Sequence, residues 1–307
     1  MHMIKNQVLV WRSLLYVPAN NPRFVSKVHT RGADALILDL EDSVPMTEKA
    51  AARDVLSESV KSAGQWGADV LVRINRPLRM AVADLEAAIV AGADAIWVSK
   101  TDSPEHIQLL SEVAAEVERE QGRAVGSTRF AAIVENPAAY FRAQEIGRAD
   151  PRIVAMGLGS EDFALEAGMT PDAETLYVPK QTIQFAARAA GIMPLGFFGT
   201  VADYADTEGF AETVRRSRRF GFEGAACVHP SGVAILNAEL TPTADEIAGA
   251  EKIMAAYEVA ECRGLGAITL DGKMVDVPIV ERARRLLTRA AAIAEKDRHK
   301  AELSNGT

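Results

Sequence analysis

The chain has 307 residues, 48% of them hydrophobic and 25% charged, the proportions of an ordinary globular protein long enough for one large domain with an appendage. Its net charge of −8 argues against a nucleic-acid or anionic-membrane partner, because either would require a net basic face. Two cysteines, Cys227 and Cys262, without CxxC spacing, exclude a disulfide framework or zinc site and point to a reducing, cytoplasmic compartment.

The N-terminal run "MHMIKNQVLVWRSLLYVP" has one Lys before its apolar stretch and no small-residue cleavage site, so it does not read as a signal peptide. No window approaches the roughly 20 apolar residues of a membrane span. Eight short strand-type runs follow: "SLLYVP" (13–18), "ALILDL" (35–40), "VLVRIN" (70–75), "AIWVSK" (95–100), "FAAIVE" (130–135), "IVAMGL" (153–158), "IMPLGFF" (192–198) and "AACVH" (225–229). Between them, segments such as "MAVADLEAAIVAG" and "TIQFAARAAG" carry helical spacing and end in Gly. Continuously apolar strands separated by helices predict a parallel sheet covered on both faces. Eight such units predict an α/β fold, a (β/α)8 TIM barrel over residues 1–240. A doubly wound open sheet fits less well, since "YVPANNP" stands where a glycine-rich phosphate loop would follow the first strand. The pattern then changes. A helix begins in "TPTADE", a strand-like piece "LGAITLDGKMVDVP" follows, and a further helix runs from Ile279, giving a C-terminal helical extension over 241–296. The polar tail, 297–307, is expected to fray.

Chemistry in such barrels sits at the C-terminal ends of the strands, and there the chain is densely polar. Tyr16 ends the first strand; Asp39, Glu41 and Asp42 the second; Arg73 and Asn75 the third. Lys100 ends the fourth, Glu135 the fifth and His229 the eighth, with Glu161 and Asp162 after the sixth. Individually these residues could be caps, salt-bridge partners or, for His229, a buried hydrogen-bonded histidine. Their convergence on one mouth is harder to explain by capping. Arg73, inside an apolar strand, needs a buried anion from the protein or a substrate. Carboxylates without a His or Cys cluster favour a hard oxygen-seeking cation, Mg²⁺ first, with Mn²⁺ as an alternative. The glycine-rich "MGLGSED", with Gly159 and Ser160 at a helix start, offers backbone N–H groups to a substrate carboxylate. The residues alone thus describe a Mg²⁺-dependent barrel enzyme acting on a small oxyacid.

"RSLLYVPANNP", "ALILDLEDSVP", "VRIN", "AAIVENP", "GLGSEDF", "VHPSGV" and "LDGKMVDVPIVERA", in that order from Arg12 to Ala283, resemble the citrate lyase β-subunit-like family, which groups with the malyl-CoA and citramalyl-CoA lyases of the HpcH/HpaI aldolase superfamily. The resemblance implies a TIM barrel in homotrimers or hexamers built as dimers of trimers. It implies Mg²⁺-dependent cleavage or formation of a carbon–carbon bond beside a 2-oxo acid, with coenzyme A as part of the substrate. Arg73 then matches a substrate-binding arginine, Glu135 and Asp162 the metal ligands, and Tyr16 and Arg23 positions near the CoA ester. Asp276 matches an acid that protonates the enolate; a helix N-cap is its other reading. The glycine-hinged appendage is expected to lie over a neighbouring subunit's mouth and to supply that proton in trans. A thioesterase, a 2-oxo acid aldolase without CoA and a non-catalytic assembly subunit are the alternatives. The extension is expected to separate stand-alone CoA-ester lyases from the citrate lyase subunit. Leu195, where an aspartate is usual, Thr200, where another acidic residue is common, and "LYVPKQTIQF", where "YAR" is usual, depart from the pattern near the expected CoA mouth.

Overall fold

The computed structural model describes residues 8–200, 206–262 and 264–306. The chain forms two compact units, one of Trp11–Leu240 together with the described residues after Ala301, the other of Thr241–Ala301 together with the described residues before Trp11. In the first, eight parallel strands lie in the order β7-β6-β5-β4-β3-β2-β1-β8. They are β1 (Ser13–Pro18), β2 (Ala35–Asp39), β3 (Asp69–Ile74), β4 (Ala95–Val98), β5 (Arg129–Val134), β6 (Ile153–Leu158), β7 (Met193–Leu195) and β8 (Ala225–Cys227). Helices alternate with them, among them α1 (Pro22–Val28), α2 (Lys49–Asp54), α3 (Leu56–Ala63), α4 (Leu78–Val90), α5 (Pro104–Glu120), α6 (Pro137–Tyr140), α7 (Ala143–Gly147), α8 (Ser160–Ala167), α9 (Tyr177–Ala190), α10 (Thr207–Arg219) and α11 (Ser231–Glu239). The ring closes where Leu195 bridges Gly224 and Gly196 N–H donates to the Gly224 carbonyl at 2.8 Å. A Cβ at Gly224 would lie 1.9 Å from the Trp11 carbonyl oxygen, so only glycine fits this seam. This is the (β/α)8 barrel that the strand count predicts.

The period-2 geometry of a strand sorts each side chain. Leu36, Leu38 and Leu40, then Phe130, Ala132 and Val134, pack outward into the core against the helices. Their neighbours Ile37, Asp39, Ala131, Ile133 and Glu135 therefore face the barrel interior. Three strands are shorter than their apolar runs by two residues or more. Lys100 adopts φ 47° and turns the chain after Val98; Gly196 adopts φ 139° after Leu195. Pro230, beside the start of α11, limits the eighth.

The opposite end of the barrel is clamped by buried ion pairs. Arg12 makes two bonds to Asp34, 2.7 and 2.9 Å long, and its backbone N–H adds a third at 3.0 Å. Arg152 grips Glu118 at 2.7 and 2.8 Å, and Glu118 also accepts from the N–H groups of Gly126 and Thr128, both at 2.7 Å. Removing one member of such a pair strands its partner's charge. Glu118→Ala is therefore expected to cost about 3–5 kcal/mol, read as a lowered urea midpoint. A midpoint equal to wild type would show that the pair is dispensable.

The second unit begins with α12 (Ala244–Glu261), entered through a capping box between Thr243 and Glu246. Strands β9 (Ile268–Leu270) and β10 (Lys273–Val275) form a hairpin turning on Asp271 and Gly272, both with positive φ, as an Asp-Gly turn prefers. The last helix, α13 (Val277–Asn305), continues through the segment expected to fray. The run "EKDRHKAELS" is polar but rich in strong helix formers, and the pairs Glu295–Arg298 and Asp297–Lys300 sit one turn apart. It propagates an existing helix, which avoids the cost of nucleation. Among the described residues no helix is long and apolar enough to cross a membrane.

Candidate active site

Asp39, the last residue of β2, is 2% exposed. It receives Arg73 Nε and Nη2 from β3 side-on, both at 2.6 Å, with the N–H groups of Glu41 and Ser43 at 2.8 and 3.1 Å. Burial works against its ionisation, but these bonds and the guanidinium charge outweigh it and hold the carboxyl below the usual range. The third guanidinium nitrogen, Nη1, lies 2.8 Å from Glu41 and 3.4 Å from Asp42. The anion that Arg73 requires is thus supplied by the protein. Only 15% of the Arg73 side chain remains exposed, and its Cζ stands 5.0 Å from the Tyr16 ring centroid. Burial pushes the Tyr16 phenol well above its ordinary value, so it stays a neutral donor.

Across the mouth, the left-handed turn at Lys100 directs its ammonium to Glu41 at 2.7 Å, with Asp42 at 3.5 Å and Asp162 at 3.8 Å. Burial nonetheless raises the Glu41 carboxyl above its usual value. Glu135, on the residue after β5, is 7% exposed. Burial first, then the charges of Asp162 and Glu41, push its carboxyl up to about 8. Gly159 leaves the room it needs: a Cβ there would lie 2.5 Å from Glu135 Cγ. Ser160 starts α8 and its hydroxyl reaches the Gly199 carbonyl at 3.5 Å.

Tyr16, Asp39, Glu41, Asp42, Arg73, Lys100, Glu135, Gly159 and Asp162 are therefore one connected group. Arg23 is exposed on α1. His229 is exposed rather than buried, with Nδ1 2.7 Å from Ser231 Oγ. Asp276 belongs to the second unit, immediately before α13.

Five carboxyl groups share this mouth with two cationic side chains, and burial and mutual repulsion both disfavour ionised Glu135. A divalent cation would relieve that repulsion, and Glu135 and Asp162 are the pair suited to hold it. No cluster of three or more His, Cys, Asp or Glu among the described residues could form a complete cage. A pair of carboxylates suits Mg²⁺, which keeps most of its octahedron for water and substrate oxygens.

Three further side chains hold this rim in place; sequence reasoning named Asn75 at its strand end but passed over two lysines. Lys49 of α2 is buried, and its ammonium donates to the carbonyls of Leu40 and Glu41 at 2.9 and 2.8 Å. Asn75 donates to Leu40 O and Asp84. Lys180 of α9, 3% exposed, donates to the carbonyls of Phe197 and Gly199, and burial lowers its ammonium to about 7. A lysine on an amphipathic helix reads as solvent-facing, so neither lysine carried a sequence signal.

The family described as HpcH/HpaI aldolase/citrate lyase matches residues 12–230. The chain is 35% identical over 283 residues to the citrate lyase subunit beta of Escherichia coli (strain K12), an alignment spanning 91% of this chain and 93% of that one. It is 32% identical over 307 aligned positions to the L-malyl-CoA/beta-methylmalyl-CoA lyase of Cereibacter sphaeroides (strain ATCC 17025 / ATH 2.4.3), spanning 92% and 95%. Protein CitE from Mycobacterium tuberculosis, solved in complex with magnesium, acetoacetate and coenzyme A, superposes with a TM-score of 0.71 at 28% identity, covering 91% of this chain and 97% of that one. The segment after Leu240 is about a fifth of the chain, more than the 9% that the E. coli subunit leaves unmatched. That subunit therefore aligns with part of the segment after Leu240.

Proposed function

The chain belongs to the HpcH/HpaI aldolase/citrate lyase family and is a lyase, and from that premise we propose that it cleaves, or in reverse forms, the carbon–carbon bond of a 2-hydroxy-acid CoA thioester, giving an acyl-CoA and a small 2-oxo acid such as glyoxylate or pyruvate. The observation that carries this reading is the crowding of Glu135 and Asp162 beside the Arg73 and Lys100 cations at one barrel mouth. Such a site suits a chelating acid whose oxygens gather charge as the bond breaks.

Glu135 and Asp162 are the residues that would hold Mg²⁺. Bound there, the cation supplies positive charge beside the substrate's hydroxyl and carboxylate oxygens and lowers the cost of ionising the hydroxyl. Backbone N–H groups at the start of α8, from Ser160 onward, receive the carboxylate; the Gly159 N–H does not join them, because it donates to the Val134 carbonyl at 3.0 Å. Arg73 keeps a fixed positive charge where the hydroxyl oxygen becomes negative, and the grip of Asp39 orients it before substrate arrives. Lys100 ties Glu41 and Asp42 to the same rim. As the bond breaks, its electron pair passes to the carbon next to the thioester carbonyl. The hydroxyl has lost one proton and this carbon gains one, so the overall reaction is proton-neutral. Asp276 is proposed as the donor of that last proton.

Arg73→Lys tests the role of the guanidinium. A single ammonium cannot hold Asp39 side-on and still present donors to the mouth. The expected loss in kcat/KM exceeds tenfold, about 1.4 kcal/mol. A smaller loss would assign Arg73 to holding Asp39 alone.

A further inference from the structure

Trp97 is the third residue of β4, and its neighbours Ile96 and Val98 pack outward with the core. Alternation therefore turns Trp97 inward. Its contacts agree. The indole meets the Tyr16 ring edge-on, centroids 5.8 Å apart and planes at 82°. Tyr16 comes from β1, separated from β4 by two intervening strands, so the two rings touch across the barrel interior.

Trp97 is also the register partner of Arg73 on one side and of Ala131 on the other. Ala131 in turn pairs with Ala155. Small side chains on β5 and β6 leave the interior to the indole, while Arg73 rises beside it to the rim carboxylates. Tyr16, Arg73 and Trp97 thus form one continuous layer, with Trp97 three residues before Lys100 along its strand. The indole is 4% exposed, yet its Nε1–H has no hydrogen-bond partner among the described residues. The other large inward ring is accounted for, because Tyr16 lies against Arg73. A buried donor is rarely left unpaired in a folded protein, and an indole can only donate.

Resting on the lyase reading above, we propose that Trp97 determines which 2-oxo acid the site accepts: its N–H donates to an oxygen of the bound acid, and its ring limits how deep the acid's carbon chain can reach. An oxygen acceptor satisfies this donor, whereas a methyl group at the same place leaves it unpaired, a penalty that sites built around a polar group impose strongly. The ring leaves room for short acids and excludes longer ones.

Titration calorimetry with pyruvate and glyoxylate in the presence of Mg²⁺ tests this directly. Trp97→Phe keeps an aromatic ring and removes the donor. It is expected to weaken binding of both acids about tenfold or more while leaving the thermal midpoint of the ligand-free protein unchanged. Trp97→Val removes the bulk and is expected to improve binding of 2-oxovalerate relative to pyruvate. Unchanged pyruvate and glyoxylate affinity in Trp97→Phe, with the wild-type enzyme still cleaving hydroxyacyl-CoA, overturns the assignment and leaves the lyase reading standing. A wild-type protein that neither binds the acids nor cleaves hydroxyacyl-CoA overturns both. Should neither variant fold, the wild-type protein suffices. The chain has three tryptophans, and one of three ¹⁵N-indole signals is expected to move when Mg²⁺ and pyruvate are added. Three stationary signals overturn the proposal.

Discussion

Glu135→Gln and Asp162→Asn are each expected to lower Mg²⁺-dependent turnover by about a thousandfold, roughly 4 kcal/mol of transition-state stabilisation, with the fold retained. Both replacements keep shape and remove charge. Glu135 is buried and is pushed toward its protonated form by burial and by Asp162, so the neutral amide avoids the cost of holding that carboxyl protonated near neutral pH in the ligand-free protein. The Glu135→Gln thermal midpoint is accordingly expected to match or exceed wild type without Mg²⁺, and its rise on adding Mg²⁺ is expected to vanish. A stable protein without metal-dependent activity separates loss of a ligand from loss of structure. Wild-type turnover that persists in excess EDTA would remove the metal from this account altogether.

Asp276→Asn is expected to keep Mg²⁺ and oxo-acid binding but lose the lyase step by about 10²- to 10⁴-fold, the usual contribution of a positioned acid. Asp276 stands at the N-cap position of α13. The first turn of α13 is closed by the main-chain carbonyl of Asp276, which accepts from the N–H groups of Ile279 and Val280, both at 3.0 Å. The Asp276 carboxylate makes no hydrogen bond among the described residues. Flanking Val275 and Val277 and the ring of Pro278 make an apolar local sequence. The proposal that Asp276 serves a neighbouring subunit predicts complementation. Inactive Asp276→Asn and inactive Glu135→Gln chains, allowed to exchange, should recover part of the wild-type rate. No recovery in verified mixed oligomers would exclude the arrangement in trans. Full activity of Asp276→Asn alone would make the residue dispensable.

The barrel was legible because its strands are apolar on both faces and each is punctuated by a helix of 3.6-residue period. That pattern survives in "ALILD" and "FAAIV" whatever the loops do. Strand ends were less legible, since the turn at Lys100 depends on a left-handed backbone that lysine does not advertise. At the site, the acidic and basic residues at strand ends could be listed from sequence. Their pairing could not: that Arg73 spends its fork on Asp39 rather than on a ligand follows from the register Asp39↔Arg73. Lys49 and Lys180 were invisible for a different reason. Long side chains carry a charge from a helix surface into a loop's carbonyls, and helical periodicity describes where a residue starts, not where its ammonium ends. Trp97 read as one more strand hydrophobe. Only the ring contact with Tyr16 across the barrel and the unpaired N–H distinguish it.

The most direct test is to identify the bond that breaks. Purified protein is incubated with malyl-CoA and with citramalyl-CoA, with Mg²⁺ and with EDTA, and the CoA products are resolved by mass. A carbon–carbon lyase releases acetyl-CoA together with glyoxylate or pyruvate, only with Mg²⁺ present, and that is the predicted result. Free CoA together with malate or citramalate would instead mean thioester hydrolysis, and would contradict the account at its centre.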